Sequence, residues 1–117
     1  MFSISVETSF WASHRLGQEE PLHYHNWRVG AKVASEELNS EGLVMDFCRL
    51  KQELETIVSE FDNKELEKTG HFGHGAASAE NVAKYIYEKL SEKLPDGVNL
   101  RSVKVAEQPG CWAKFSK

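Results

Sequence analysis

Three imidazoles have the types and spacing to do chemistry in this chain: His14 in "WASHRL", and His23 and His25 in "PLHYHNW". Side chains two apart on a β-strand point to the same face. His23 and His25 are therefore in phase with Trp27, Val29 and Val33, and His14 with Phe10 and Ala12. If the two segments pair as a hairpin, the imidazoles converge at one end of the sheet, on its apolar side. Three neutral imidazoles with one position left open make a catalytic zinc arrangement, with Zn–N about 2.0–2.1 Å. Such an ion polarises a bound oxygen and lowers its pKa. A His-x-His pair alone is an ordinary surface or core pattern; the third histidine in matching phase turns it toward metal.

The elements that must position these residues follow from periodicity. Residues 2 to 13 alternate, with Phe2, Ile4, Val6, Phe10 and Ala12 on one face, and residues 25 to 35 alternate around Trp27, Val29, Ala31 and Val33. "LNSEG" (38 to 42) is turn-like. Asp46 can cap a helix in which Phe47, Leu50, Leu54, Ile57, Val58 and Phe61 keep the i, i+3, i+4 pattern to about residue 61. "TGHFGHGAA" (69 to 77) reads as a loop. Ser78 caps a second helix whose apolar side carries Val82, Tyr85, Ile86, Leu90 and Leu94, and "PDG" stops it. Val103, Val105 and Phe115 belong to a closing pair of strands interrupted near "QPG". The expectation is an α+β domain over 1–117, ordered ββ-αα-ββ, with a four-stranded antiparallel sheet and two helices. Open sheet edges invite pairing with further copies.

Composition narrows the function classes. A length of 117 residues suits one core, and 40% hydrophobic with 27% charged residues is ordinary for a globular chain. A net charge of -4 argues against nucleic acid as partner, since phosphates need a basic surface. No apolar run approaches the roughly 20 residues of a membrane span. "MFSISVETSF" alternates and lacks the basic and long apolar parts of a signal peptide. Cys48 and Cys111 form neither a metal nor a redox spacing, so a soluble, cytoplasmic protein with free thiols is expected.

The blocks "SFWASHRL", "LHYHNWRV", "GLVMDFCRLK", "SAENVAKYIYEKL" and "VKVAEQPGCWAKF" resemble, in order, those of the 6-pyruvoyltetrahydropterin synthase / 6-carboxytetrahydropterin synthase family. The resemblance runs over nearly the whole chain. It implies a tunnelling fold whose subunits trimerise into a β-barrel, two trimers usually stacking into a homohexamer. It places the family's zinc triad on His14, His23 and His25 and its pterin-anchoring glutamate on Glu107 in "VKVAEQP", which is in phase with Val103 and Val105, so that its carboxylate belongs on the core-facing side, where it needs donors. A pterin's cyclic amidine edge offers two N–H groups in a fork, which one carboxylate accepts in bidentate fashion. Ser78 stands where the family usually has threonine; it caps the helix, and it either keeps a hydroxyl for a ligand as well or serves only as the cap.

The resemblance also exposes departures. The family's proton chemistry uses a cysteine shortly before the His-x-His pair, and an Asp-His pair after the first long helix, contributed by a neighbouring subunit. Here the first place is held by Glu19, followed by Glu20, and the pair reads Asp62-Asn63. Asparagine cannot serve as a base near neutral pH. The glycine usual between the histidines is Tyr24. Glutamate replaces cysteine in one branch of the family, associated with cleavage of 7,8-dihydroneopterin triphosphate to 6-hydroxymethyl-7,8-dihydropterin, a folate precursor. The enzyme expectation is therefore a zinc-dependent lyase using Glu19, Glu20 and Asp62, with His71 or His74 as further candidates and Arg15 and Lys64 available to phosphates. The contrasting expectation is a zinc- and pterin-binding protein without lyase activity, or one acting on another ligand.

Overall fold

The structure is a computed structural model describing residues 1–15, 21–72 and 76–117. Alternating apolar residues make two long strands, β1 (Phe2–His14) and β2 (His23–Ser35). They pair antiparallel along their whole length, from Phe2 opposite Ser35 to His14 opposite His23. Then come α1 (Phe47–Val58), a two-residue strand β3 (Lys64–Glu65), a short 3-10 turn (Leu66–Lys68), α2 (Ala79–Ser91), β4 (Asn99–Gln108) and β5 (Cys111–Phe115). The sheet order is β3-β1-β2-β4-β5.

The expected four antiparallel strands are present, and β3 is an addition that makes the sheet mixed. It runs parallel to β1, with Ala12 opposite Lys64 and Ser13 opposite Glu65. Two residues carry no readable period. Hydrogen bonds from the preceding residues hold this strand instead: Asp62 Oδ1 accepts from the Trp11 N–H at 2.9 Å, and the Asn63 N–H donates to the Trp11 carbonyl at 2.6 Å. Asn63 takes a left-handed φ of 62°, a conformation asparagine tolerates better than most residues.

Both helices pack on one face of the sheet. Asp46 caps α1 by accepting from the Cys48 N–H at 2.7 Å, and Leu50, Leu54, Ile57 and Val58 are buried beneath it. Two details differ from the periodic reading. Phe47 is exposed, because Val44 and Met45 just before the helix are buried instead. The helix stops at Val58, so the fully buried Phe61 reaches the core from the following turn. Ser78 caps α2 through the Asn81 N–H at 3.1 Å. Val82, Ile86 and Leu90 are buried, whereas Leu94 lies past the helix end and is only partly covered. The alternation of β1 breaks at its end: Ala12, Ser13 and His14 are all fully buried, because β3 covers the edge where the histidines begin.

Candidate metal centre

Register alone brings the histidines together. His14 sits directly opposite His23, Ala12 opposite His25 and Phe10 opposite Trp27. The imidazole centroids lie 4.4 Å (His14–His23), 4.7 Å (His23–His25) and 5.4 Å (His14–His25) apart. Trp27 forms the floor. It is fully buried, donates its indole N–H to the Ala12 carbonyl at 3.1 Å, and meets the His14 ring edge-on at 4.8 Å.

Glu107 arrives from the third strand. In the β4–β5 ladder Ala106 faces Trp112 and Gln108 faces Cys111, so Glu107 is the extra residue of a β-bulge. Bulges re-aim a side chain at the end of a ladder. Here the carboxylate oxygen Oε1 stands 3.1 Å from His14 Nε2, 3.2 Å from His25 Nε2 and 3.7 Å from His23 Nε2. One ligand atom from each of His14, His23, His25 and Glu107 lies within 4.8 Å of the others.

The hydrogen bonds behind the rings decide what this cluster can hold. His14 Nδ1 is 2.9 Å from the Ala77 carbonyl, and His23 Nδ1 is 3.1 Å from the Pro21 carbonyl. A carbonyl only accepts, so both Nδ1 atoms carry the proton and donate. Each Nε2 then faces the Glu107 oxygen, and at His14 the 3.1 Å contact has hydrogen-bond geometry. Either a second ring proton or a cation between the atoms keeps such a nitrogen and a carboxylate from repelling each other. His25 Nε2 is buried and, among the described residues, has no aligned hydrogen-bond partner although Glu107 Oε1 is close. Burial pushes the His25 pKa below the ordinary imidazole value, the neighbouring His23 and His14 adding to this against the opposing pull of Glu107. The ring therefore stays neutral near pH 7, as a ligand must. Histidines that donate one N–H to a carbonyl and aim the other nitrogen inward are the usual metal-holding arrangement. The residues present fit a divalent ion.

The remaining candidates separate. Ser78 has its hydroxyl oxygen at the α2 cap and stands next to Ala77, whose carbonyl orients His14. Asp62 uses Oδ1 on the β1 edge, and its Oδ2 lies 3.5 Å from the Asn63 amide. Arg15 gives its backbone N–H to Glu67 Oε1 at 2.7 Å. Lys64 lines a cleft of about 450 Å³ with Glu60, Glu65, Lys68, Thr69 and His71. Glu19, Glu20 and His74 lie outside the described residues. Cys48 and Cys111 are free and exposed.

Sequence reasoning missed a hydrogen-bonded chain beside that cleft. The Tyr85 hydroxyl donates to Glu60 Oε2 at 2.8 Å and lies 3.1 Å from His71 Nδ1. Burial and the Glu60 carboxylate push the Tyr85 pKa well above its usual value, so the hydroxyl stays protonated. The available signal was a tyrosine on the apolar face of α2, whose O–H needs a partner. The Ala77 and Pro21 carbonyls left no signal, because main-chain acceptors carry no residue type.

Fold and site together define a class: an α+β domain that carries a three-histidine, one-carboxylate cluster at the end of its sheet. The family described as 6-pyruvoyl tetrahydropterin synthase matches residues 3–117, and the chain belongs to it. It is 35% identical over 124 residues to the 6-carboxy-5,6,7,8-tetrahydropterin synthase of Synechocystis sp., covering 98% of this chain and 93% of that one. It is 31% identical over 104 residues to the dihydroneopterin monophosphate aldolase of Pyrococcus furiosus, covering 89% of this chain and 88% of that one. Among solved structures, the Caenorhabditis elegans 6-pyruvoyl tetrahydropterin synthase superposes with a TM-score of 0.84 at 26% identity, covering 99% of this chain and 95% of that one. No helix among the described residues is long and apolar enough to cross a membrane.

Proposed function

We propose that this chain is a cytoplasmic, zinc-dependent pterin lyase that acts on the side chain of 7,8-dihydroneopterin triphosphate or a related pterin. The observation that carries the reading is the pair of Nδ1–H groups committed to Ala77 and Pro21, which turns the Nε2 atoms of His14 and His23 inward toward Glu107. His14, His23 and His25 would hold the zinc. Bound there, zinc would withdraw electron density from a side-chain oxygen of the pterin and make its proton easier to remove. Glu107 would accept the two N–H groups of the pterin's amidine edge, and the Ser78 hydroxyl keeps a proton it can donate to the ligand. Glu19 and Glu20 would move the proton, since a carboxylate in a dry pocket has a raised pKa suited to that task. Trp27 closes the floor against water. The assembly proposed is a homohexamer of stacked trimers, with Asp62 meeting the site of a neighbouring copy.

One observation favours a second reading, a zinc- and pterin-binding protein without lyase activity. Asp62 is engaged on the β1 edge and Asn63 replaces a histidine, so two of the family's proton-handling residues are committed or absent. Incubation of the zinc-loaded protein with 7,8-dihydroneopterin triphosphate separates the two. The lyase reading expects a pterin product with a shortened or rearranged side chain. Tight pterin binding with no product on the hour scale would leave the binding reading standing.

A further inference from the structure

Glu107 faces two demands that one position cannot meet. As the anchor of a pterin it must point its two oxygens at the ligand's amidine edge. In the structure it points one oxygen at three imidazole nitrogens, at 3.1, 3.2 and 3.7 Å. Those distances carry information. With metal–nitrogen bonds of about 2.0–2.1 Å and metal–oxygen bonds of about 2.0–2.2 Å, the edges of a tetrahedral site are about 3.3–3.5 Å long. The three oxygen–nitrogen separations straddle that value. A ring N–H hydrogen-bonded to the carboxylate sits at about 2.7–3.2 Å with the N–H aimed at the oxygen; His14 Nε2 meets that geometry at 3.1 Å, whereas His23 Nε2 at 3.7 Å is too far. At His25 that alignment is missing.

We infer that Glu107 is a two-position residue. In the resting protein its Oε1 closes the fourth vertex of the metal site, and binding of a pterin's amidine edge draws the carboxylate off and opens that vertex. The inference rests on the reading of the site as a metal and pterin centre and adds the coupling between the two.

The surroundings permit the movement. Glu107 is the extra residue of a bulge, so its backbone is not held in register against β5. Its side chain is 27% exposed, so it has free space on one side. It also borders a cleft of about 260 Å³ shared with Ala79, Glu80, Gln108, Trp112 and Ala113. Rotation toward that cleft takes the carboxylate from the imidazoles to a place where a flat, fork-shaped donor can meet it. The same device has a chemical consequence. While Glu107 closes the vertex, stray anions and thiols find no open position; the vertex opens only when a pterin is in place.

Cobalt(II) substitution tests this, because its visible absorption reports the ligand set and does not require turnover. The probe is unsubstituted pterin, which has the amidine edge and no side-chain hydroxyl that could reach the metal. In wild type, saturating pterin should shift the cobalt spectrum, and azide should bind the cobalt at least tenfold more tightly with pterin present than without. In Glu107→Gln and Glu107→Ala the metal should bind at least tenfold more weakly. Their cobalt spectra in the absence of ligand should already differ from that of wild type, and azide should bind without pterin. Far-UV circular dichroism checks that both variants fold. Metal affinity and cobalt spectra identical in wild type and both variants would overturn the inference while leaving the metal site intact. So would a wild-type spectrum unmoved by bound pterin. Failure of wild type to bind cobalt or zinc at all would instead remove the functional reading on which the inference stands.

Discussion

The strand end that carries His14, His23, His25 and Glu107 and the connector from Ser59 to Phe72 are built on opposite principles. At the strand end, residue positions follow from register. His14 faces His23 because β1 and β2 pair without a bulge over their full length, and the imidazoles share a face because strand side chains alternate. In the connector nothing repeats. Asp62 and Asn63 are held by two hydrogen bonds to Trp11, and His71 by a tyrosine hydroxyl fourteen residues further along the chain. The first region gathers three imidazoles and a carboxylate within reach of one another, whereas the second has its aspartate hydrogen-bonded to the sheet edge and an asparagine beside it. Ligand geometry rides on the scaffold and persists with it. Proton handling rides on local contacts and can be reassigned.

The largest expected effect concerns that reassignment. If Glu19 and Glu20 handle the proton, the double variant Glu19→Gln, Glu20→Gln should lower the turnover rate by roughly 10²–10⁴, the usual contribution of a positioned acid or base. Zinc content and pterin affinity should be nearly unchanged, since shape and polarity are kept. Steady-state kinetics beside elemental analysis reads both. A variant that turns over at the wild-type rate would shift attention to Asp62 and His71.

A smaller effect tests whether the connector is structural. Asp62→Ala strips the Trp11 N–H of its acceptor beside β3. Leaving a backbone donor unpaired costs about 1–3 kcal/mol when buried, and less where water reaches it as it does here. Urea denaturation should show a loss toward the lower end of that range, with metal affinity unaffected. Loss of zinc in this variant would mean that the two regions are not independent.

The smallest effect is the restoration Asn63→His. The position has a φ of 62°, and histidine is among the residues enriched in that conformation, so the strain should be slight. Stability should barely change. If the family's histidine acts through this position, a pH–rate profile should gain a limb near the ordinary imidazole pKa of about 6.5. An unaltered profile would show that the glutamates already carry the proton.

How much of this was legible follows the same division. The four long strands, both helix caps and the convergence of the histidines could be read from period and phase, because each rests on side-chain type at fixed spacing. The inward aim of Glu107 was legible from its phase with Val103 and Val105, though not the bulge that delivers it to the imidazoles. Strand β3 was invisible, since two residues have no period and its anchors are Asp62 and Asn63 pairing with a backbone fifty residues away. The Ala77 and Pro21 acceptors were invisible because every residue has a carbonyl. Phe47 was misassigned because helical phase does not say where along the helix the core ends.

Metal content tests the central claim most directly. Protein purified without chelator should carry about one zinc per chain by elemental analysis, as three histidines and a carboxylate imply. His14→Ala should lose it, because that ring is fully buried at the centre of the cluster with its Nδ1 fixed on Ala77. Wild type that stays metal-free in the presence of added zinc, or a folded His14→Ala variant that binds zinc as tightly as wild type, would contradict the account.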